Sequence, residues 1–142
     1  MNNVTSDLYK LIVDNSADVL YVLDFDERFV FISPSVEKIF GFTPEEVIGK
    51  KIHNFLTPQS YEKQRVNMLR ALKEKRFDIS EKLILRVFRK DGIKIWAEVH
   101  AKFLMGTNSK VSGILGVVRD VTDRVQNEQY LIKKIHELEG TD

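Results

Sequence analysis

Two periods of apolar residues divide this chain. Val19 to Leu23 and Phe29 to Ile32 are β-rich runs, and the acidic, turn-like Asp24-Phe25-Asp26-Glu27 between them predicts a hairpin. Later, Leu83, Leu85 and Val87 alternate with Ile84, Arg86 and Phe88. Ile95, Ala97, Val99, Ala101 and Phe103 then share one face of a following strand, with Trp96, Glu98, His100 and Lys102 on the other. Lys90-Asp91-Gly92 reads as the turn between these strands, its Asp-Gly supplying positive φ. Gly106-Thr107-Asn108-Ser109 turns the chain once more, into a last strand over Val111–Val121.

Helical spacing governs the middle and the ends. Over 58–75, Tyr61, Arg65, Met68, Leu69 and Leu72 fall on one stripe, and Lys63, Arg70, Lys73 and Lys75 take the other faces. Residues 5–16 carry Leu8, Leu11 and Ile12 on one stripe, predicting an N-terminal amphipathic flanking helix over 1–16. Residues 123–142 read as a C-terminal linker helix. In it Val121, Val125, Ile132 and Ile135 follow a 3–4 alternation, with Glu128 at the missing seam position, as at the start of a coiled coil.

Proline and glycine punctuate the centre. Ser33-Pro34, Thr43-Pro44 and Thr57-Pro58 each place a capping hydroxyl before a residue suited to the first helical turn. Thr43-Pro44-Glu45-Glu46 completes a capping box. Gly41 and Gly49 stand where short helices near 34–40 and 44–48 would stop. The order is two strands, three helices, three strands. That pattern predicts an α+β domain over 17–122, one antiparallel sheet with helices on one face.

The 142-residue length is that of one ordinary domain, and 43% hydrophobic with 30% charged residues describes a globular chain. A formal net charge of +1 gives no support for nucleic-acid binding. No apolar run is long enough for a spanning helix, and the first residues lack the pattern of a secretory signal. A cytoplasmic location without membrane insertion is the expectation. There are no cysteines, which removes thiol nucleophiles, disulfides and Cys-ligated metals. No phosphate-cradling loop, metal-spaced cluster or nucleophilic triad is present, so no catalytic and no metal-binding residue is assigned.

Four segments in register resemble the PAS sensor family. They are Asp24–Arg28 with Phe29-Val30-Phe31-Ile32-Ser33-Pro34-Ser35; Gly41-Phe42-Thr43-Pro44-Glu45-Glu46-Val47-Ile48-Gly49-Lys50; Arg89-Lys90-Asp91-Gly92 with Trp96 and Glu98; and Gly113–Arg124. Many members carry asparagine where this chain has Ser33. The resemblance implies a PAS-like five-stranded antiparallel sheet, with short helices and one longer helix over one face, enclosing a small apolar cavity. It also implies a place in a sensor histidine kinase, a cyclic-dinucleotide enzyme or a transcription regulator, with signals passed into a neighbouring helix.

Asp120-Val121-Thr122 resembles the element with which such domains hand over to an output helix. Here Thr122 is expected to cap a helix from Asp123, and Asp120 to pair with Arg124 four residues on. Phe40, Phe55, Leu56, Met68, Leu72, Leu85, Val87 and Val99 are the expected lining of a ligand cavity, a set that also describes an ordinary core. Without cysteine the covalent flavin adduct of light-sensing members is excluded, and non-covalent flavin stays open. The long helix has no histidine, which argues against haem and leaves His53 as its sole near candidate. His136-Glu137-Leu138 lacks the continuation of a phospho-acceptor site and reads as a solvated linker.

The function expected is a regulatory module that dimerises through flanking helices and the sheet face. It would bind at most a small apolar ligand and signal to an output domain in the same parent chain, foremost that of a two-component histidine kinase. The alternative is a ligand-free dimerisation module of a transcription regulator or cyclic-dinucleotide enzyme.

Overall fold

The computed structural model describes residues 17–140. Strands β1 (Val19–Leu23), β2 (Phe29–Ile32), β3 (Asp78–Phe88), β4 (Lys94–Met105) and β5 (Val111–Asp120) form one sheet in the order β2-β1-β5-β4-β3. Every neighbouring pair is antiparallel. Helices α1 (Ser35–Phe40) and α2 (Pro44–Val47), a 3-10 helix (Ile52–Phe55) and α3 (Pro58–Lys73) cross between β2 and β3. Helix α4 (Thr122–Glu139) leaves the end of β5. The amphipathic segment expected over 1–16 lies outside the described residues.

All three hairpins close alike. Asp24 N–H donates to the Arg28 carbonyl at 2.9 Å, Arg89 N–H to Ile93 at 2.9 Å, and Gly106 N–H to Lys110 at 2.7 Å. The residue before the closing carbonyl is left-handed each time: Glu27 at φ 64°, Gly92 at 85° and Ser109 at 56°. This is the three-residue loop whose last position turns the chain into register. Glu27, not glycine, holds that conformation because it is tied down twice. Its carbonyl accepts from Ile52 N–H at 3.0 Å, and its Oε2 accepts from the Tyr61 hydroxyl at 2.7 Å.

Two of the three caps expected before a proline form. Thr43 Oγ1 accepts from Glu46 N–H at 3.3 Å while Glu46 Oε1 accepts from Thr43 N–H at 3.0 Å. That backbone bond, followed by the Lys90 ammonium, holds the Glu46 carboxyl below its usual range. Thr57 Oγ1 accepts from Ser60 N–H at 3.3 Å. Ser33 departs from expectation. Its Oγ accepts from Leu20 N–H at 2.9 Å and bonds Ser35 Oγ at 3.0 Å, so it fastens β1 to the start of α1 and caps nothing. Strand β3 starts at Asp78, before the predicted Leu83, because backbone pairing with β4 carries it through a polar stretch that shows no alternation.

The helix-facing side of the sheet buries Val19, Tyr21 and Leu23 of β1, Ile95 to Phe103 of β4 on alternate positions, and Ile114 and Val118 of β5. Two glycines let β1 lie against β5. A methyl group at Gly116 would stand 2.1 Å from the Tyr21 ring, and one at Gly113 2.2 Å from the Leu23 carbonyl oxygen. Gly116→Ala and Gly113→Ala should therefore each cost about 1–3 kcal/mol in urea unfolding, with Gly113→Ala the worse because backbone cannot swing aside. Wild-type midpoints in both would show that β1 does not approach this closely.

Candidate functional site: an apolar cavity and the strand-to-helix exit

Helix α3 reaches the sheet through polar groups. Thr57 N–H donates to the Arg86 carbonyl at 3.2 Å, and Ser60 Oγ accepts from Arg86 N–H at 2.8 Å. Leu56 also bridges Val87. These bonds fix the phase of α3, so Ser60 and Gln64, one turn apart, face inward together with Ala71. The stripe expected from hydrophobicity splits: Tyr61 and Met68 are half-buried against the core, whereas Leu69 and Leu72 are 46% and 45% exposed.

Between these elements lies a cavity of about 70 Å³ with almost wholly apolar walls. Phe40, Phe55, Leu56, Leu85, Val87 and Val99 of the expected lining surround it, joined by Tyr21, Phe29 and Val118 from the sheet. Met68 and Leu72 do not. They lie over a separate groove with Phe25, Phe103 and Val111, because the phase of α3 turns them toward the β1–β2 hairpin. Burial pushes the pKa of the Tyr21 hydroxyl well up, keeping it neutral.

Two of the lining side chains carry polar atoms, Tyr21 and Gln64. Gln64 is 5% exposed, and its Oε1 is the one buried side-chain oxygen or nitrogen without a hydrogen-bond partner among the described residues. Sequence reasoning missed Gln64 because it sought an apolar face. The signal was the capped start at Thr57-Pro58, which fixes which side of α3 the small residues Ser60 and Ala71 present.

At the exit, Asp120, Thr122 and Trp96 form a junction. Asp120 Oδ1 accepts from Thr122 N–H at 2.9 Å and from the Thr122 hydroxyl at 2.6 Å. Thr122 Oγ1 accepts in turn from Trp96 N–H at 3.0 Å, and Val121 N–H donates to the Trp96 carbonyl at 2.9 Å. Thr122 is thus not the cap that its sequence position predicted. It lies inside the first turn of α4, and Asp120 serves the free amide. Arg124 does not meet Asp120. It donates to Glu98 Oε2 at 2.8 Å, because the turn of the helix swings it across β4. Beyond Val121, α4 buries no residue, leaving Leu131, Ile132 and Ile135 more than half exposed.

The model of the PAS fold family matches residues 7–121. The chain belongs to the PAS family. It is 31% identical over 109 residues to the bacterioopsin transcriptional activator of Halobacterium salinarum, covering 76% of this chain and 16% of that protein. It is 22% identical over 122 residues to sporulation kinase C of Bacillus subtilis, covering 86% and 28%. It is 29% identical over 111 residues to a blue-light photoreceptor of Listeria innocua, covering 78% and 42%. The chain thus spans less than half of each of these relatives. A crystal structure of a PAS domain from Colwellia psychrerythraea superposes with a TM-score of 0.71 at 22% identity, covering 86% of this chain and 99% of that one. The expected α+β sheet with helices on one face is the PAS fold. No helix among the described residues is long and apolar enough to cross a membrane.

The chain has no cysteine with which to form a covalent flavin adduct. His53 is exposed, lies edge-on to the Tyr61 ring and is not among the cavity liners, so no imidazole is placed to hold haem iron.

An unpaired buried acceptor costs more than an apolar group of the same shape. Gln64→Leu should therefore raise the unfolding free energy of the purified protein by about 1–3 kcal/mol, measured in urea. A loss of stability would mean that the amide is satisfied in solution.

Proposed function

We propose that this PAS domain is a regulatory input module. Its cavity or sheet surface senses, and α4 hands a conformational bias to an output domain in the same parent chain, foremost that of a histidine kinase. The observation that carries the reading is the absence of a break between β5 and α4. Thr122 belongs to the helix, yet its hydroxyl is bonded to both the Asp120 carboxylate and the Trp96 backbone of the neighbouring strand. A shift in β4 or β5 therefore acts directly on the first turn of α4. Resemblance to a named kinase and a named transcriptional activator supports an output role without choosing between them.

A bias of this kind is worth ~1–3 kcal/mol, or roughly 5–150-fold in an output equilibrium. The test is a chimera in which α4 runs in register into the dimerisation and ATPase region of a histidine kinase. Thr122→Val and Asp120→Ala should each move autophosphorylation at least about fivefold from the wild-type set point while the domain stays folded. An unmoved set point in both variants would end the coupling role.

Pairing of two copies is part of the same reading. Of the seam, Val121 is buried and Val125 half-buried at the base of α4 while Ile132 and Ile135 are more than half exposed, and Leu20, Val22, Leu115 and Val117 stand half-buried together on the outer sheet face. Ile132→Glu with Ile135→Glu should weaken a dimer by about tenfold or more in light scattering across a dilution series. A dimer of unchanged strength would remove α4 from the interface. If the pairing survives in a protein that binds no small molecule, the ligand-free interaction module becomes the better reading.

A further inference from the structure

We propose that the cavity takes a small, largely apolar molecule bearing a single hydroxyl group, held by a hydrogen bond to the Gln64 amide. This deepens the sensory reading above by naming the class of molecule sensed, and it rests on that reading only for the consequence of binding.

Three observations converge. The walls are carbon apart from the Gln64 amide and the Tyr21 hydroxyl, so a ligand with several polar groups would leave most of them unpaired. The volume of about 70 Å³ is several times the ~10–15 Å³ that admits one water, which is room for a molecule of a few heavy atoms. The buried Gln64 Oε1 lacks a donor, and a dry apolar occupant would leave it so.

A hydroxyl on an apolar body meets the constraint with its single polar group. It donates to Oε1, and if the amide turns over it accepts from Nε2 instead. Its carbon atoms lie against Leu85, Val99 and Phe40. Ser60, one turn before Gln64, is held by Arg86 N–H, so the strand that forms one wall also sets the position of the amide. Occupancy at Gln64 is thereby felt at β3 and, through the β3–β4 pairing, beside Trp96.

The experiment compares 1-propanol with 1-chloropropane, molecules of similar size and shape with and without the hydroxyl. Each is titrated into the full chain, with the methyl resonances of Leu85 and Val99 as reporters. In the wild-type protein 1-propanol should shift these methyls saturably. Gln64→Leu should lower the ratio of 1-propanol to 1-chloropropane affinity about tenfold, the value of one well-made hydrogen bond. Gln64→Met provides the same comparison with a flexible side chain should the leucine pack badly. A ratio unchanged within about twofold in both variants overturns the proposal, as does a failure of 1-propanol to shift the cavity methyls saturably in the wild type. Either failure leaves the chimera result standing, because that experiment reads Asp120 and Thr122 and not the cavity.

Discussion

The last strand of this chain is the middle strand of its sheet. Strand β5 lies between β1 and β4, so it is hydrogen-bonded along both edges before it hands over to α4. A central strand cannot move alone. Displacing it strains the ladders on both sides, and its glycines remove what slack remains: Tyr21 covers Gly116 and the β1 backbone covers Gly113. The end of β5 therefore reports the state of the whole sheet. An output helix grown from an edge strand would report only its own neighbour.

Local chemistry made most of this fold legible beforehand. The hairpins, the Thr43 and Thr57 caps and the alternation of β4 each depend on residues within a few positions of one another, and each formed where expected. The failures share a cause of the opposite kind. Ser33 reads as a cap because proline follows it, yet its hydroxyl is taken by Leu20, thirteen residues away in sequence. Spacing pairs Arg124 with Asp120, but Glu98 on a neighbouring strand competes and wins. Thr122 reads as a cap from its position, whereas its partner Trp96 is supplied by β4. A polar side chain that can choose a distant partner is not fixed by its near neighbours.

The longest helix shows the sharper form of this limit. Hydrophobic periodicity in α3 pointed to Met68, Leu69 and Leu72, and a helix is ordinarily turned by its apolar stripe. Here Thr57 and Ser60 bond to Arg86 at the entrance, and those bonds decide the rotation. The inward face becomes Ser60, Gln64 and Ala71, too small or too polar to fill the space beneath it. The cavity follows from that choice. It exists because hydrogen bonds to β3 turn Ser60 and Gln64 inward, while Tyr61 and Met68 pack at its flanks. Six of the eight expected liners come from elements whose phase was read correctly, and the two that miss both belong to α3.

Helix α4 brings the two ends of the argument together. Eighteen residues are marginal for a helix in water without packing, and among the described residues this one meets the sheet at its base, at Val121 and Val125, and buries none of its own residues. Its persistence therefore depends on what happens at either end. At the base, Asp120 serves the Thr122 amide and hydroxyl, and Trp96 holds that hydroxyl against β4. Further along, the apolar seam is stable only when covered. A helix so poised amplifies small changes: a tilt of β5 that weakens the Thr122 bonds alters both the nucleation of the helix and the register in which its seam is offered. The junction needs no large motion to be read, because the element beyond it has little stability of its own to resist.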